Sequence, residues 1–293
     1  MSPARPSVRP LLANGVITVV PGAGTALEAR VIEQSGFPAI YVSGYATAAA
    51  VHGLPDIGLI GSGEVTRNVR AVRHVTSLPL IVDADTGYGD AVNVRDTVRR
   101  LERSGASAIQ IEDQIWPKRC GHMADKEVVD AETMARKVRA AVAARQDPET
   151  VIIARTDARA PYGLDEAIRR VKLYRAAGAD VTFVDAPQSV EEMRRITAEV
   201  EGPCMVNMSE TGLTPLLSAR DLQEIGFSIV IFPSSAVRVT AHAVAAFMED
   251  LRRTGDSRAW VDSMASLGRL NGLVGLDEAQ AFDASVADAP VQA

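Results

Sequence analysis

The sequence has only two cysteines and no long apolar segment, and these shortages exclude two classes of protein. Cys120 and Cys204 lie far apart in unlike settings, so we do not expect a disulfide framework. No stretch approaches the ~20 consecutive apolar residues that a membrane-spanning helix requires. Met1–Pro10 contains two arginines but no apolar run behind them, unlike a secretory signal. We therefore expect a cytoplasmic protein with no membrane partner.

Basic residues are in the minority. The chain has 31 Lys and Arg against 37 Asp and Glu, a formal net charge of −6, and no long basic block. Because phosphate binding needs concentrated Lys and Arg, nucleic acid is not an expected partner. The 293 residues are 47% hydrophobic, which is enough to bury the core of one large α/β barrel or of two medium domains.

The sequence is rich in one repeated unit, a short β-branched run followed by an amphipathic segment. Near-continuous apolar strands that alternate with helices indicate a parallel sheet covered on its faces. Eight such units match a (β/α)₈ barrel, which takes about 250 residues. We predict a single barrel domain over residues 1–293, with a helical extension from about residue 237. The predicted strands are Val16–Val20, Ala39–Val42, Leu80–Asp83, Ala108–Glu112, Val151–Arg155, Val181–Val184, Cys204–Asn207 and Ile229–Phe232; predicted helices include Thr25–Ser35, Val92–Ser104, Ala131–Arg145, Leu164–Ala177, Val190–Val200 and Ser218–Ile225.

A doubly wound open sheet is the alternative fold. It needs fewer strands and usually a glycine-rich first turn that binds a dinucleotide. The first turn here, PGAGTALEA, lacks the full G-x-G-x-x-G pattern, and no acidic residue follows at the expected place. The barrel is therefore the favoured reading.

Polar residues end six consecutive predicted strands. The active site of a (β/α)₈ barrel lies at the carboxyl ends of its strands, so we expect these side chains to meet at one rim. A polar strand end that simply meets water is the alternative at any single position. The residues are Tyr41 and Ser43, Asp83 and Asp85, Glu112, Arg155, Asp185 and Asn207.

Three of these residues predict a metal site. Asp83, Asp85 and Glu112 lie on neighbouring strands, where unpaired carboxylates would repel one another. Oxygen ligands with room for water suit Mg²⁺, with Mn²⁺ as the second choice. Asp56, in the loop after the second strand, could join through water. The alternative is a set of carboxylates paired with Arg155 and other basic groups.

A Schiff-base aldolase is a further alternative for a barrel, and it would need a lysine in the barrel interior. The lysines stand at positions 118, 126, 137 and 172, and none ends or lies within a predicted strand. The metal site is therefore preferred.

The segment after the fourth strand, DQIWPKRCGHMADK, surrounds Cys120 with cationic neighbours such as Lys118 and His122. Such neighbours lower the pKa of a thiol and keep a thiolate accessible. Long irregular loops after barrel strands are often lids. We predict a lid that carries a poised acid-base group over the rim, the alternative being a surface cysteine of no consequence. Cys204, inside a buried strand, is expected to serve packing.

These motifs together resemble the isocitrate lyase/phosphoenolpyruvate mutase superfamily. KRCGH is the pattern of the branch that makes and breaks carbon–carbon bonds, and LNGLVGL looks most like the lyases of 2,3-dimethylmalate and 2-methylisocitrate. The resemblance implies a (β/α)₈ barrel whose last helix is swapped between paired subunits of a homotetramer. The matching segments, in the family's order, are YVSGYATAA, GLPDIG, DADTGYG, IEDQIWPKRCGH, IARTDA and NMSETGLTP.

The resemblance implies a Mg²⁺-dependent lyase that cleaves a 2-hydroxy di- or tricarboxylate to pyruvate and a second carboxylate by retro-aldol chemistry. It implies that Asp83, Asp85 and Glu112 are metal ligands and that Asp56 binds the metal through water. It implies that Ser43 and the amides of Gly44 and Tyr45 bind the first substrate carboxylate. Tyr41 would be the base, Cys120 the proton donor and Arg155 a fixed cation, while His122, Lys118 and Asn207 would hold the second carboxylate.

One departure leaves the substrate open. Asp185 stands where lyases of this group commonly carry glutamate, and its side chain is one methylene shorter. A carboxyphosphonoenolpyruvate phosphonomutase and an oxaloacetate hydrolase or decarboxylase are the alternative enzymes. A non-catalytic barrel used for assembly or sensing is the alternative of another class.

Overall fold

The computed structural model describes residues 6–121 and 125–287. The chain divides into two compact units, Met1–Val237 and Arg238–Ala293.

In the first unit, eight parallel strands close into a barrel in sequence order. The predicted (β/α)₈ barrel is confirmed, and the open-sheet alternative is wrong. Five of the eight strands have the bounds that the β-branched runs predict. The strands are β1 (Thr18–Ala23), β2 (Ile40–Val42), β3 (Leu80–Asp83), β4 (Ala108–Glu112), β5 (Val151–Thr156), β6 (Val181–Val184), β7 (Cys204–Asn207) and β8 (Ile229–Phe232).

The first strand differs most from the prediction. Its pairing with β8 continues through Pro21, which lies opposite Phe232, so the strand includes residues that the sequence assigns to a turn. Gly22 makes this possible, because a Cβ there would lie 2.2 Å from the carbonyl oxygen of Pro233. Only glycine leaves room for that close approach of two backbones.

Ten helices with bounds in the described part of the first unit surround the barrel. The six predicted ones are found to within about two residues, as helix ends usually allow, whereas α1, α3, α4 and α7 are not among the predicted segments. The alanine-rich α3 has no apolar stripe that would mark it as a helix. The helices are α1 (Arg9–Ala13), α2 (Ala26–Gln34), α3 (Gly44–His52), α4 (Ser62–Val75), α5 (Ala91–Arg103), α6 (Ala131–Ala144), α7 (Arg159–Tyr162), α8 (Leu164–Ala176), α9 (Val190–Glu199) and α10 (Ala219–Ile225).

The barrel interior is packed with side chains such as Ile81, Ile153 and Phe183, all buried. Val8, which is 1% exposed, and the neighbouring Leu11 and Leu12 pack onto the same cluster from the amino-terminal end. Each large apolar side chain removed from water contributes about 1.5–3 kcal/mol. A second apolar layer lies between the strands and the helices. Polar chemistry is thereby left to the carboxyl ends of the strands.

The second unit is helical. Trp260 donates from its indole Nε1 to Asp250 Oδ2 at 3.0 Å and packs edge-on against Phe247 at 5.6 Å. In the described part of this unit, residues 238–287, no residue is buried. No helix within the described residues of the chain is long and apolar enough to cross a membrane. The elements are α11 (Ser235–Thr254), a 3₁₀ helix (Arg258–Ser263), α12 (Leu267–Leu273) and α13 (Leu276–Ala287).

Candidate active site

Strand register brings the polar strand ends together. Asp83 lies opposite Gln110 in the β3–β4 pair, and Glu112 lies opposite Arg155 in the β4–β5 pair. Gln110, which the sequence reading missed, donates from Nε2 to Asp83 Oδ1 at 3.2 Å. Its Oε1 accepts a hydrogen bond from the hydroxyl of Tyr41 at 3.1 Å. Tyr41, Gln110 and Asp83 thus form a hydrogen-bonded chain that begins inside the barrel.

Asp83 and Asp85 converge on the start of α3. The Gly44 amide donates to Asp83 Oδ2 at 3.3 Å, and the Asp85 amide donates to Asp83 Oδ1 at 3.3 Å. A Cβ on Gly44 would lie 3.1 Å from Asp83 Oδ2 and 3.4 Å from Asp85 Oδ1. Asp85 takes a left-handed backbone with φ 46°. Such strained positions collect at functional sites.

Lys118 neutralises part of this acidic cluster. Its Nζ forms an ion pair with Asp56 and lies 2.9 Å from Asp85 Oδ1, and its side chain is 5% exposed. Burial raises the pKa of Asp85 to about 6, although Lys118 acts in the opposite direction. Burial also opposes the charge of Lys118, but Asp85, Asp56 and their neighbours outweigh it and hold the pKa of Lys118 well above its ordinary value. Asp56 and Lys118 therefore belong to one charged group.

Glu112 is the least satisfied of the predicted ligands. Its Oε2 lies 3.3 Å from Arg155 Nε, whereas its buried Oε1 has no hydrogen-bond partner among the described residues. Burial raises the pKa of Glu112 well above the ordinary value despite the nearby Arg155. An uncompensated buried carboxylate oxygen is costly unless a cation or a donor reaches it.

Arg155 is held on three sides. Its Nε and Nη2 donate to Asp157 at 2.8 and 2.9 Å, and Nη2 also donates to Asp185 Oδ2 at 3.0 Å. The guanidinium lies 5.4 Å over the ring of Phe183, its partner in the β5–β6 register. Burial raises the pKa of Asp157, but Arg155 and Lys126 overcome this and hold it well below its usual range.

Asp113 is another buried carboxylate that was not predicted from the sequence, and it contacts the two residues that follow Arg155. Asp113, which directly follows Glu112, accepts hydrogen bonds from Thr156 Oγ1 at 2.6 Å and from the Asp157 amide at 2.9 Å. Tyr174 and Arg170 donate to it at 2.8 and 3.1 Å. Burial raises the pKa of Asp113. This network fixes the backbone that carries Asp157.

The segment that contains Cys120 forms a flap, residues 114–127, of which 114–121 and 125–127 are described. An antiparallel bridge between Gln114 and Val128 closes its base. The Gln114 side chain donates to the Arg119 carbonyl and accepts from the Arg119 amide, both at 2.9 Å. The Trp116–Pro117 peptide bond is cis. Cys120 is partly exposed, and the predicted site residue His122 lies outside the described residues.

Cys204 is buried on β7, 3.5 Å from the hydroxyl of Thr182, as its packing role predicts. Burial raises the pKa of its thiol.

The remaining predicted residues occupy the rim in different ways. Tyr41 is 1% exposed, and burial, with Asp83, raises the pKa of its phenol well above the ordinary value. Ser43 is the N-cap of α3, where its Oγ accepts from the Ala46 amide at 3.2 Å. Tyr45 lies on α3 with its side chain 36% exposed, and Asn207 is buried at the end of β7.

The charges at the rim fit a divalent cation. Within the described residues, six buried carboxyl groups at the rim share the three buried cations that form ion pairs with them, which leaves an excess of negative charge. Oxygen donors of this kind suit Mg²⁺. Among the described residues, however, no group of three His, Cys, Asp or Glu side chains has the arrangement of a preformed metal site. The carboxylates are Asp56, Asp83, Asp85, Glu112, Asp157 and Asp185, and the cations are Lys118, Lys126 and Arg155.

Comparison with known proteins gives the family. The family model described as phosphoenolpyruvate phosphomutase matches residues 8–252. The chain belongs to this family. Members among its curated relatives are named as lyases: the 2,3-dimethylmalate lyase of Eubacterium barkeri is 41% identical over 271 residues, 92% of this chain and 94% of that protein. A probable 2-methylisocitrate lyase of Corynebacterium glutamicum is 43% identical over 282 residues, 96% of this chain and 92% of that protein.

Solved structures of the phosphoenolpyruvate phosphomutase/isocitrate lyase superfamily share the whole fold. The crystal structure of 2,3-dimethylmalate lyase matches with a TM-score of 0.90 at 38% identity and covers 97% of each chain. Phosphonopyruvate hydrolase, in a complex with oxalate and Mg²⁺, matches with a TM-score of 0.86 at 32% identity and covers 94% of this chain and 96% of the other.

Proposed function

We propose that this member of the phosphoenolpyruvate phosphomutase family is a Mg²⁺-dependent carbon–carbon bond lyase. Its substrate would be a 2-hydroxy di- or tricarboxylate of the 2,3-dimethylmalate or 2-methylisocitrate type, and its products pyruvate and a second carboxylate. The observation that carries the proposal is the buried excess of carboxylates beneath a flap that bears a cysteine. The lyase names of the relatives support it.

Asp83, Asp85 and Glu112 would hold the metal, with Asp56 reached through water. Mg²⁺ in that place supplies a Lewis acid that polarises a substrate oxygen, with Mn²⁺ as the second choice. The unpartnered Oε1 of Glu112 and the raised pKa of Asp85 both support a cation among these groups. The Mg²⁺ complex of the related phosphonopyruvate hydrolase supports the choice of ion.

The substrate carboxylates would meet fixed donors. For the first carboxylate we propose Ser43 and the amides of Gly44 and Tyr45, because amides at the start of a helix favour an anion. For the charge near the reacting bond we propose Arg155, whose bonds to Asp157 and Asp185 use Nε and Nη2. Nη1 takes part in none of these bonds and would donate to the substrate.

The second carboxylate would be held by His122, Lys118 and Asn207, with Asp185 on the same side. Asp185 Oδ1 is buried without a hydrogen-bond partner among the described residues, which supports a hydrogen-bond donor there, such as a substrate hydroxyl, rather than the carboxylate itself.

Cleavage requires one proton to leave the substrate hydroxyl and another to reach the departing carbon. When the carbon–carbon bond breaks, its electron pair stays on the departing fragment, and Cys120 would donate the thiol proton to that carbon. Acid-base transfer of this kind contributes typically 10²–10⁴-fold. Tyr41 as the base stays a prediction that its raised pKa does not favour, because a phenol of high pKa holds its proton.

A coupled pyruvate assay tests the function. The purified chain is offered 2,3-dimethylmalate, 2-methylisocitrate and oxaloacetate, each with Mg²⁺ or with EDTA. Pyruvate from one of the first two, dependent on Mg²⁺, is the expected result. Acetate and oxalate from oxaloacetate would assign the hydrolase instead. If none of the three compounds reacts, a phosphonate substrate is offered next, and its conversion would assign the phosphonomutase. Full activity in EDTA would show that the carboxylates are structural.

We also propose a homotetramer of helix-swapped pairs, in which residues 1–293 form one barrel domain with a helical extension. The described helices after residue 237 leave apolar side chains such as Leu267 and Phe282 exposed, at 80% and 69%. Large apolar patches of this kind usually mark an interaction surface. Light scattering during gel filtration measures the mass, and a monomer at micromolar concentration would contradict the assembly. Cytoplasmic location stays a prediction.

A further inference from the structure

Lys126 links the flap to the arginine side of the site. Its side chain is 1% exposed, and its Nζ lies 2.8 Å from Asp157 Oδ1 and 3.7 Å from Asp185 Oδ2. The same ammonium donates a hydrogen bond to the carbonyl oxygen of Gly121. One charged group therefore holds both the flap backbone and the two carboxylates that bind Arg155.

Gly121 shows how closely the flap lies on that pair. A Cβ at this position would lie 2.0 Å from Asp185 Oδ2 and 2.2 Å from Arg155 Nη2. The backbone of Gly121 thus packs directly on the Arg155–Asp185 pair. Cys120 is the preceding residue, so its position depends on how this turn is held.

Lys126 also balances the charge there. Glu112, Asp157 and Asp185 all lie within 3.3 Å of the guanidinium of Arg155. Three carboxylates outweigh one guanidinium, and an unpaired buried carboxylate is strongly unfavourable. Lys126 supplies the second cation on this side of the site. Lys118 plays the corresponding part on the acidic side, where it binds Asp56 and Asp85.

We propose that Lys126 is a positioning residue, whose ammonium holds the Cys120–Gly121 turn of the flap against the Arg155–Asp185 pair. The proposal rests on the proposed function in that Cys120 is taken as the proton donor. Lys126 itself touches neither the substrate nor the reacting atoms in this scheme. It acts through the place that it gives the thiol.

The first test measures thiol reactivity, which does not require turnover. Wild type and Lys126→Met are treated with iodoacetamide, and alkylation of each cysteine is followed by mass spectrometry of its peptide. Cys120 is expected to react about tenfold faster in Lys126→Met, the factor that loss of one charge-assisted hydrogen bond represents. Cys204, which is 2% exposed, is the internal reference for global unfolding and is expected to stay unreactive.

The matched control is Lys172→Met. Lys172 lies on α8, where its side chain is 48% exposed. Its ammonium pairs with Glu199 at 3.4 Å, which is not a flap residue. This variant is expected to behave as wild type at both cysteines. Equal Cys120 rates in the two variants and wild type would overturn the proposal, and so would parallel increases at Cys120 and Cys204. A slower Cys120 rate in Lys126→Met would also overturn it, because the ammonium would then only promote the thiolate.

The second test separates the kinetic constants on whichever substrate the wild type cleaves. Lys126→Met is expected to lose kcat at least about tenfold, because acid transfer worth 10²–10⁴-fold needs a placed thiol, with KM within about threefold. Lys126→Gln, which keeps N–H donors but has no charge, is expected to recover part of the loss. A kcat equal to that of wild type would refute a positioning role.

The proposal can still be tested if Lys126→Met does not fold or if the wild type shows no lyase activity. If Lys126→Met does not fold, Lys126→Gln is compared with Lys172→Gln by the same alkylation assay, and identical Cys120 rates refute the proposal. If the wild type forms no pyruvate from any substrate, the lyase proposal fails, while the alkylation contrast still decides whether Lys126 holds the turn.

Discussion

At the scale of single residues, the two cysteines allow a direct comparison. Cys120→Ser is expected to keep the fold and to lose carbon–carbon cleavage by about 10²–10⁴-fold, because a hydroxyl is a much weaker acid than a thiol. Cys204→Ser is the control, since this thiol is buried on β7, where it contacts the hydroxyl of Thr182 and the carbonyl of Gly202. The coupled pyruvate assay and a thermal melt measure both. Unchanged turnover in Cys120→Ser would remove the thiol from the mechanism.

Asp85 predicts how metal affinity depends on pH. The pKa of its carboxyl is raised from 3.8 to about 6 in the folded chain without metal. In the metal-free chain the folded state therefore binds this proton more tightly, so ionisation of Asp85 lowers stability as pH rises from 3.8 to about 6. Mn²⁺ must displace the same proton. We expect its dissociation constant to rise as pH falls through about 6.

Electron paramagnetic resonance of free Mn²⁺ measures that constant. Asp85→Asn is expected to lose the site, whereas Asp96→Asn is the control, because Asp96 pairs with Arg100 on the exposed surface of α5. A pH-independent constant in the wild type, or unchanged binding in Asp85→Asn, would place the metal elsewhere.

The sequence indicates which residues end the strands but not what each side chain binds. Asp157 stands in the IARTDA motif, yet nothing in its spacing shows that it holds Arg155 from two positions away. Asp113 reaches the Asp157 amide across 44 residues of sequence. Lys118 is predicted to meet a substrate carboxylate, and its ion pairs with Asp56 and Asp85 are a further role that the sequence does not show. Contacts of this kind depend on register, which periodicity does not reveal.

At the scale of the element, the flap predicts a steric effect. Gly121→Ala would place a methyl group 2.0 Å from Asp185 Oδ2, so the flap could not settle on the Arg155–Asp185 pair. We expect kcat to fall at least about tenfold, because a misplaced catalytic group is costly, with little change in melting temperature.

Gly63→Ala is the matched control for this substitution. Gly63 lies in α4, where a Cβ would meet nothing within 4 Å. This variant is expected to keep full activity and to gain up to about 1 kcal/mol of stability, because alanine favours a helix over glycine. If Gly121→Ala turns over substrate as fast as Gly63→Ala, turnover does not depend on the contact of Gly121 with the Arg155–Asp185 pair.

Strands were easier to predict than helices for a physical reason. Buried parallel strands such as β3 and β6 are runs of β-branched and aromatic residues, and glycine at the preceding helix end marks where they begin. The helix α3 has neither signal, because GYATAAAVH lacks a polar face. The strand β1 was displaced because Pro21 and Gly22 suggest a turn, and only the register with β8 shows that the strand continues.

At the scale of the whole molecule, the excess of buried negative charge predicts stabilisation by metal. A ligand present at 100 times its dissociation constant stabilises the folded state by about 2.7 kcal/mol. Mg²⁺ is therefore expected to raise the melting temperature without substrate, relative to EDTA at the same ionic strength. The Asp96→Asn chain should shift equally, and Asp85→Asn should not. An equal shift in Asp85→Asn would mean that Mg²⁺ acts by screening alone.

The complete barrel could be predicted because eight similar units repeat along the chain, so errors at single boundaries do not change the count. The helices after residue 237 could be predicted only as helices. The described residues of that segment bury nothing by themselves, and a partner surface leaves no periodic signal that distinguishes it from water.

Val8, Leu11 and Leu12 pack onto the barrel interior from its amino-terminal end. These side chains close the interior at that end, so we expect the proposed reactant to enter and its products to leave at the carboxyl ends of the strands, where the flap lies. If movement of the flap limits that exchange, release of the second product and entry of the next reactant depend on the same movement. Turnover would then slow as solvent viscosity is raised, whereas the rate of bond cleavage in a single turnover would not change.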